Sequence, residues 1–86
     1  MRHARLDDLD GIVGLLEQLR GVPGIREKSP GVFYRGSKAF LHFHVDGGDY
    51  YADVRLGGPE FERVRTTTMA EQRSLVAAIR RSLKWS

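Results

Sequence analysis

The sequence predicts an α+β fold: a two-layer sandwich of order α-β-β-β-β-α, with an antiparallel meander sheet and both helices on one face. Three observations carry that expectation. Apolar residues recur at helical spacing near both ends of the chain. Between those segments the period changes to two. The alternating stretches are separated by Gly36-Ser37, Asp46-Gly47-Gly48-Asp49 and Gly57-Gly58-Pro59, which are turn and loop signals.

The first helix is read from Leu9, Ile12, Val13, Leu16 and Leu19, which form one stripe. Asp7 or Asp8 can cap its start, and Gly21 is a natural stop that Pro23 reinforces. Gly11 and Gly14 lie inside it, at a cost of about 1 kcal/mol each against Ala; close approach to the sheet is one reason to retain them. Residues 21–31 hold three glycines and two prolines and read as a loop, with a short extended piece at Ile25-Arg26-Glu27. Strands are expected over residues 32–35, 38–45, 50–56 and 60–68, with a helix over residues 59–64 as the alternative for the last. Thr68-Met69-Ala70-Glu71 is a capping-box pattern. Leu75, Val76, Ile79 and Leu83 then make the stripe of the second helix, with Ala78 beside it and Trp85 folding back on the core.

The middle strands can be tested for register. With Gly47-Gly48 as the turn, Val45 faces Tyr50, Phe43 faces Ala52 and Leu41 faces Val54, all apolar or aromatic. The other face then pairs His44 with Tyr51, His42 with Asp53 and Phe40 with Arg55. Carrying the Gly36-Ser37 turn through puts Val32 and Tyr34 on the core face and Phe33 beside Phe40 on the histidine face. A slip of one residue destroys this agreement.

Length and composition bound the function. A chain of 86 residues is expected to make a single domain over residues 1–86. The absence of cysteine removes disulfides, thiolate nucleophiles and Cys-based metal sites. No signal-like apolar stretch opens the chain and no run reaches the roughly 20 residues of a membrane span, so a cytoplasmic location is expected. Net charge is +3. Residues 57–86 carry six basic and three acidic groups, so the excess lies there. Arg73, Arg80, Arg81 and Lys84 follow the last acid, Glu71; they suit the C-terminal dipole of a helix or a phosphate backbone.

The face carrying Phe33, Phe40, His42, His44, Tyr51, Asp53 and Arg55 mixes aromatic and ionisable groups, and function is expected there. A non-catalytic binding or protein-interaction domain, with self-association possible through this face, is the leading expectation. Nucleic-acid binding through the aromatics and the basic helix is the second. A metal site is the third: His42-x-His44 places two imidazoles on one side of a strand, about 7 Å apart along the backbone, with Asp53 opposite His42. Enzymatic activity is not favoured, since His42 and Asp53 have no nucleophile in a suitable context and no phosphate-binding glycine loop is present. No cofactor is called for by any motif.

The stretch from Gly21-Val22-Pro23-Gly24 through Lys38-Ala39-Phe40-Leu41-His42-Phe43-His44 to Ala52-Asp53-Val54-Arg55-Leu56 resembles a group of small, chiefly actinobacterial, domains of unknown function. Some are grouped as a bacterial "luciferase domain" family, a title that does not imply light emission. There a proline-glycine loop precedes an aromatic-rich His-x-His strand and an Asp-Val-Arg-like strand. The helix–meander–helix order is also similar to YjbR-like domains, of frataxin-type fold, which have been proposed to bind DNA. Both resemblances imply the architecture given above and add no activity.

Overall fold

The computed structural model describes residues 1–84, so the packing expected of Trp85 lies outside it. The α+β architecture is as expected, with one helical segment near each end of the described chain and an antiparallel sheet between them. Two strands are added to the expected four. In chain order the elements are β1 (Arg2–His3), α1 (Leu6–Leu9), a 3-10 turn (Asp10–Ile12), α2 (Val13–Arg20), β2 (Arg26–Ser29), β3 (Val32–Arg35), β4 (Lys38–Asp46), β5 (Asp49–Val54), β6 (Glu62–Arg65) and α3 (Met69–Lys84).

The nine-residue β4 organises the sheet. The order is β2-β3-β4-β5-β6, and β1 also pairs with β4. Strand β3 meets the first half of β4, Lys38 to Leu41, and β1 meets its second half at His44 and Val45. Both therefore lie on the edge of β4 opposite β5. The β4–β5 register is the one expected, with His42 opposite Asp53 and His44 opposite Tyr51. Its turn has positive φ at both Gly47 (58°) and Gly48 (85°), as a type I′ hairpin needs. In the preceding hairpin only Gly36 is positive (61°), which suits type II′.

The β3–β4 register departs from expectation. Arg35 pairs with Lys38 and Tyr34 with Ala39, but Phe33 then pairs with Leu41. A bulge in β4 absorbs one residue. The shift moves Phe33 from the histidine face, where the regular register put it, to the core, where its exposure is 0%. Val32 and Tyr34, expected in the core, are only partly buried. Fully burying a Phe is worth about 1.5–3 kcal/mol, more than the net worth of one ladder hydrogen bond, so the core dictates the bulge.

The core joins Leu15, Leu16 and Leu19 of α2, Leu75, Val76 and Ile79 of α3, and Phe33, Leu41, Phe43, Ala52 and Val54 of the sheet. The stripe of the first helical segment is shifted: Leu15 is buried and Val13 is exposed. The 3-10 turn before α2 rotates the later residues, so a single helical phase misassigns Val13. Asp8 does not occupy the cap position. It lies at the third helical residue and its carboxylate accepts the Arg5 N–H at 2.8 Å. At α3 the expected box forms: Glu71 N–H donates to Thr68 Oγ1 at 3.1 Å, and Glu71 Oε1 accepts the Thr68 N–H at 2.9 Å. Residues 62–65 are a strand paired with β5, so the helical alternative for residues 59–64 is overturned. Residues 26–29, read mainly as loop, pair with β3.

Candidate metal centre on the outer sheet face

With helices on one face, the alternation of β4 and β5 turns His42, His44, Tyr51 and Asp53 to the other. Two neighbouring strands add to that set. The pairing of His3 with His44 brings in a third imidazole from β1. The pairing of Asp53 with Arg63 brings in a guanidinium from β6.

The imidazoles meet. Ring centroids are 4.4 Å apart for His3 and His44, 5.0 Å for His42 and His44, and 5.6 Å for His3 and His42. One ring nitrogen from each lies within 4.8 Å of the other two. A tetrahedral zinc site with bonds of 2.0–2.1 Å needs nitrogens about 3.3 Å apart, so each ring need move by only about an ångström. No other group of three such residues converges among the described residues.

Asp53 lies beneath this trio. Its Oδ2 is 3.0 Å from His44 Nε2 and 3.4 Å from His42 Nε2. Arg63 holds the carboxylate in a fork, Nε to Oδ1 at 2.8 Å and Nη2 to Oδ2 at 2.9 Å. Asp53 and His44 are 8% and 9% exposed, so this is a largely desolvated pair. His44 Nε2 is buried, and Asp53 Oδ2 is the carboxylate oxygen it faces. Phe61 closes one side, its ring edge-on to His42 at 4.9 Å and stacked on the Arg55 guanidinium at 4.3 Å.

Charge states follow from these contacts. Burial pushes His42 and His44 below the usual imidazole range, and the nearby Asp53 carboxylate only partly opposes it. The hydrogen-bonded Arg63 holds Asp53 below the usual carboxylate range. His42 and His44 are thus favoured in their neutral form, which has a lone pair to give. Asp53 is ionised and already engaged by Arg63, which suits an acceptor that orients the rings more than a direct ligand.

The structure brings His42, His44 and Asp53 together as expected and sets Tyr51 partly buried on the same face. It does not bring Phe33 there. Phe40 is 3% exposed, so neither ring offers a face for base stacking. Arg73 and Arg80 are exposed on α3; Arg80 and Lys84 line a cavity with Val22 and Pro23, and Arg81 lines a different one with Arg55. Sequence reasoning passed over His3, Phe61 and Arg63. A two-residue strand has no period to detect, and the one available signal was that His3 is the remaining histidine of three.

Comparison with protein-family models, curated proteins and solved structures found no match. The functional reading therefore rests on the geometry. No helix among the described residues is long and apolar enough to cross a membrane.

Proposed function

We propose that this chain is a small binding domain whose outer sheet face holds a divalent transition metal of the zinc class. His3, His42 and His44 are the ligands. The observation that carries this reading is the convergence of three ring nitrogens within 4.8 Å, from two strands. Imidazole trios suit Zn²⁺, Cu²⁺ and Ni²⁺, and three protein ligands leave a fourth position for water or another donor. Asp53, fixed by Arg63, serves as the carboxylate that orients the ring of His44. Outer-shell partners of this kind commonly matter 10–100-fold in affinity.

The test is calorimetric titration of chelator-stripped protein with Zn²⁺. One ion per chain is expected, and His3→Ala and His42→Ala should each weaken it by at least tenfold. A wild type that takes up no stoichiometric metal defeats the reading. So does a His3→Ala variant that binds as tightly as wild type, because two histidines on one strand are then the whole site.

A further inference from the structure

A small cavity adjoins the histidine trio. Pairing of β3 with β4 ends at Leu41 and pairing of β1 with β4 begins at His44, so the two short strands leave a gap along that edge at His42 and Phe43. A cavity of about 80 Å³ lies in the gap. His3 and His42, two of the three proposed ligands, line it. Ala4, Leu9, Pro30, Val32 and Phe43 supply apolar walls, and Gly31 adds backbone.

The walls are held in place. On one side the Ala4 N–H donates to the Phe43 carbonyl at 3.0 Å. On the other the Gly31 N–H donates to Glu27 Oε2 at 2.9 Å, and Arg20 Nε holds Oε1 of the same carboxylate at 2.6 Å. Gly31 has a φ of 74°, and a Cβ there would lie 3.0 Å from the Leu9 side chain, so this turn packs closely on Leu9. A volume of about 80 Å³ exceeds the roughly 10–15 Å³ that one water requires. It is far below the roughly 300 Å³ at which pockets for drug-sized ligands begin. The cavity therefore suits a molecule of a few heavy atoms. Other sides of the trio are closed by protein: Asp53, gripped by Arg63, lies against His44, and Phe61 lies against His42. Because Asp53 is already paired with Arg63, a divalent ion on three neutral imidazoles keeps most of its charge uncompensated, which favours an anionic donor over a neutral one.

We propose that the fourth position of the metal faces this cavity and takes a small monodentate anion, of the size of azide or formate, while the apolar walls exclude bulkier ones. The inference rests on His3, His42 and His44 holding the ion. Three protein ligands leave such a position for an exchangeable donor in sites of the zinc class. Apolar walls also strengthen the attraction between ion and anion relative to water.

The experiment uses the full chain loaded with Co²⁺, whose visible absorption reports its coordination. One ion per chain is expected. Azide and formate should each shift the spectrum saturably, and formate should bind at least tenfold tighter than pivalate at constant ionic strength. Pivalate is the more basic carboxylate, so a position open to solvent would bind it at least as tightly. Val32→Phe, which narrows the cavity, should weaken azide at least tenfold with cobalt stoichiometry unchanged. Val32→Ala, which widens it, should reduce the preference for formate several-fold. A chain that takes up no stoichiometric cobalt overturns the metal reading and this inference with it. A chain that holds cobalt but gives no spectral response to azide, or binds pivalate as tightly as formate, overturns this inference alone. Wild-type azide affinity in Val32→Phe together with wild-type selectivity in Val32→Ala does the same.

Discussion

Gly11 and Gly14 are three residues apart in one helical segment, and the structure gives them different reasons to be glycine. A Cβ at Gly11 would run into the Tyr50 hydroxyl, which donates to the Asp8 carbonyl at 2.5 Å. That contact joins the first helical segment to β5. A Cβ at Gly14 would meet nothing within 4 Å. Gly11→Ala should therefore lower stability by about 1–3 kcal/mol through overpacking and loss of the tyrosine bond. Gly14→Ala should raise it by about 0.5–1 kcal/mol through helix propensity. Urea midpoints of the two variants check this, and a stabilised Gly11→Ala would show that Tyr50 simply moves aside. Both glycines look alike in the sequence, because what separates them is a ring 39 positions away that only the folded arrangement supplies.

Elements were legible where local chemistry and the core agreed. The β4–β5 hairpin carries a two-glycine turn, an alternating pattern and a core preference that all select one register, and the face bearing His42, His44 and Asp53 followed from it. The β3–β4 hairpin also announced its turn at Gly36-Ser37. Its bulge was not readable, because it answers to the space beneath the helices into which Phe33 packs and not to the turn. Strand β1 escaped for want of length, and with it His3. The start of α3 was fully written in Thr68 and Glu71. Glu71 also pairs with Arg65, which reaches Asp49, so this cap links α3 to β5 and β6. Thr68→Ala should cost about 1 kcal/mol, read as a lower urea midpoint at unchanged slope. A loss near zero would show that Glu71, bound to the Thr68 and Thr67 amides, holds the helix start unaided.

For the molecule as a whole, the outer face should set the response to acid. The folded state depresses His42 and His44 below the unfolded imidazole value of about 6.5. Just below that pH the unfolded chain binds more protons than the folded one, so stability is full above it and falls as the pH drops through the folded values. Asp53, held down by Arg63, and Glu27, held down by Arg20 and the Gly31 amide, act in the same direction at lower pH. Their stabilisation is present above the unfolded carboxyl values near 4 and is lost as the pH falls through the folded ones. Metal-free protein should thus show a flat melting temperature from pH 8 to 7, a first decline below about 6.5 and a second below about 4. Thermal melts in chelator across that range check the order. A melting temperature that rises between pH 7 and 5 would mean that the attraction of Asp53 for protonated imidazoles outweighs their burial.

The smallest strand has a consequence for time as well as for geometry. Strand β1 is two residues long, and beyond it the Ala4 N–H donates to the Phe43 carbonyl at 3.0 Å. So short a strand on the rim of a sheet belongs to the part of a protein that opens first and most often. With an ion shared between His3 and two imidazoles of β4, that opening and the release of the ion become one event. The residence time of the metal would then be set by how rarely β1 lifts, and the Ala4 amide would exchange its hydrogen at the pace at which the ion departs.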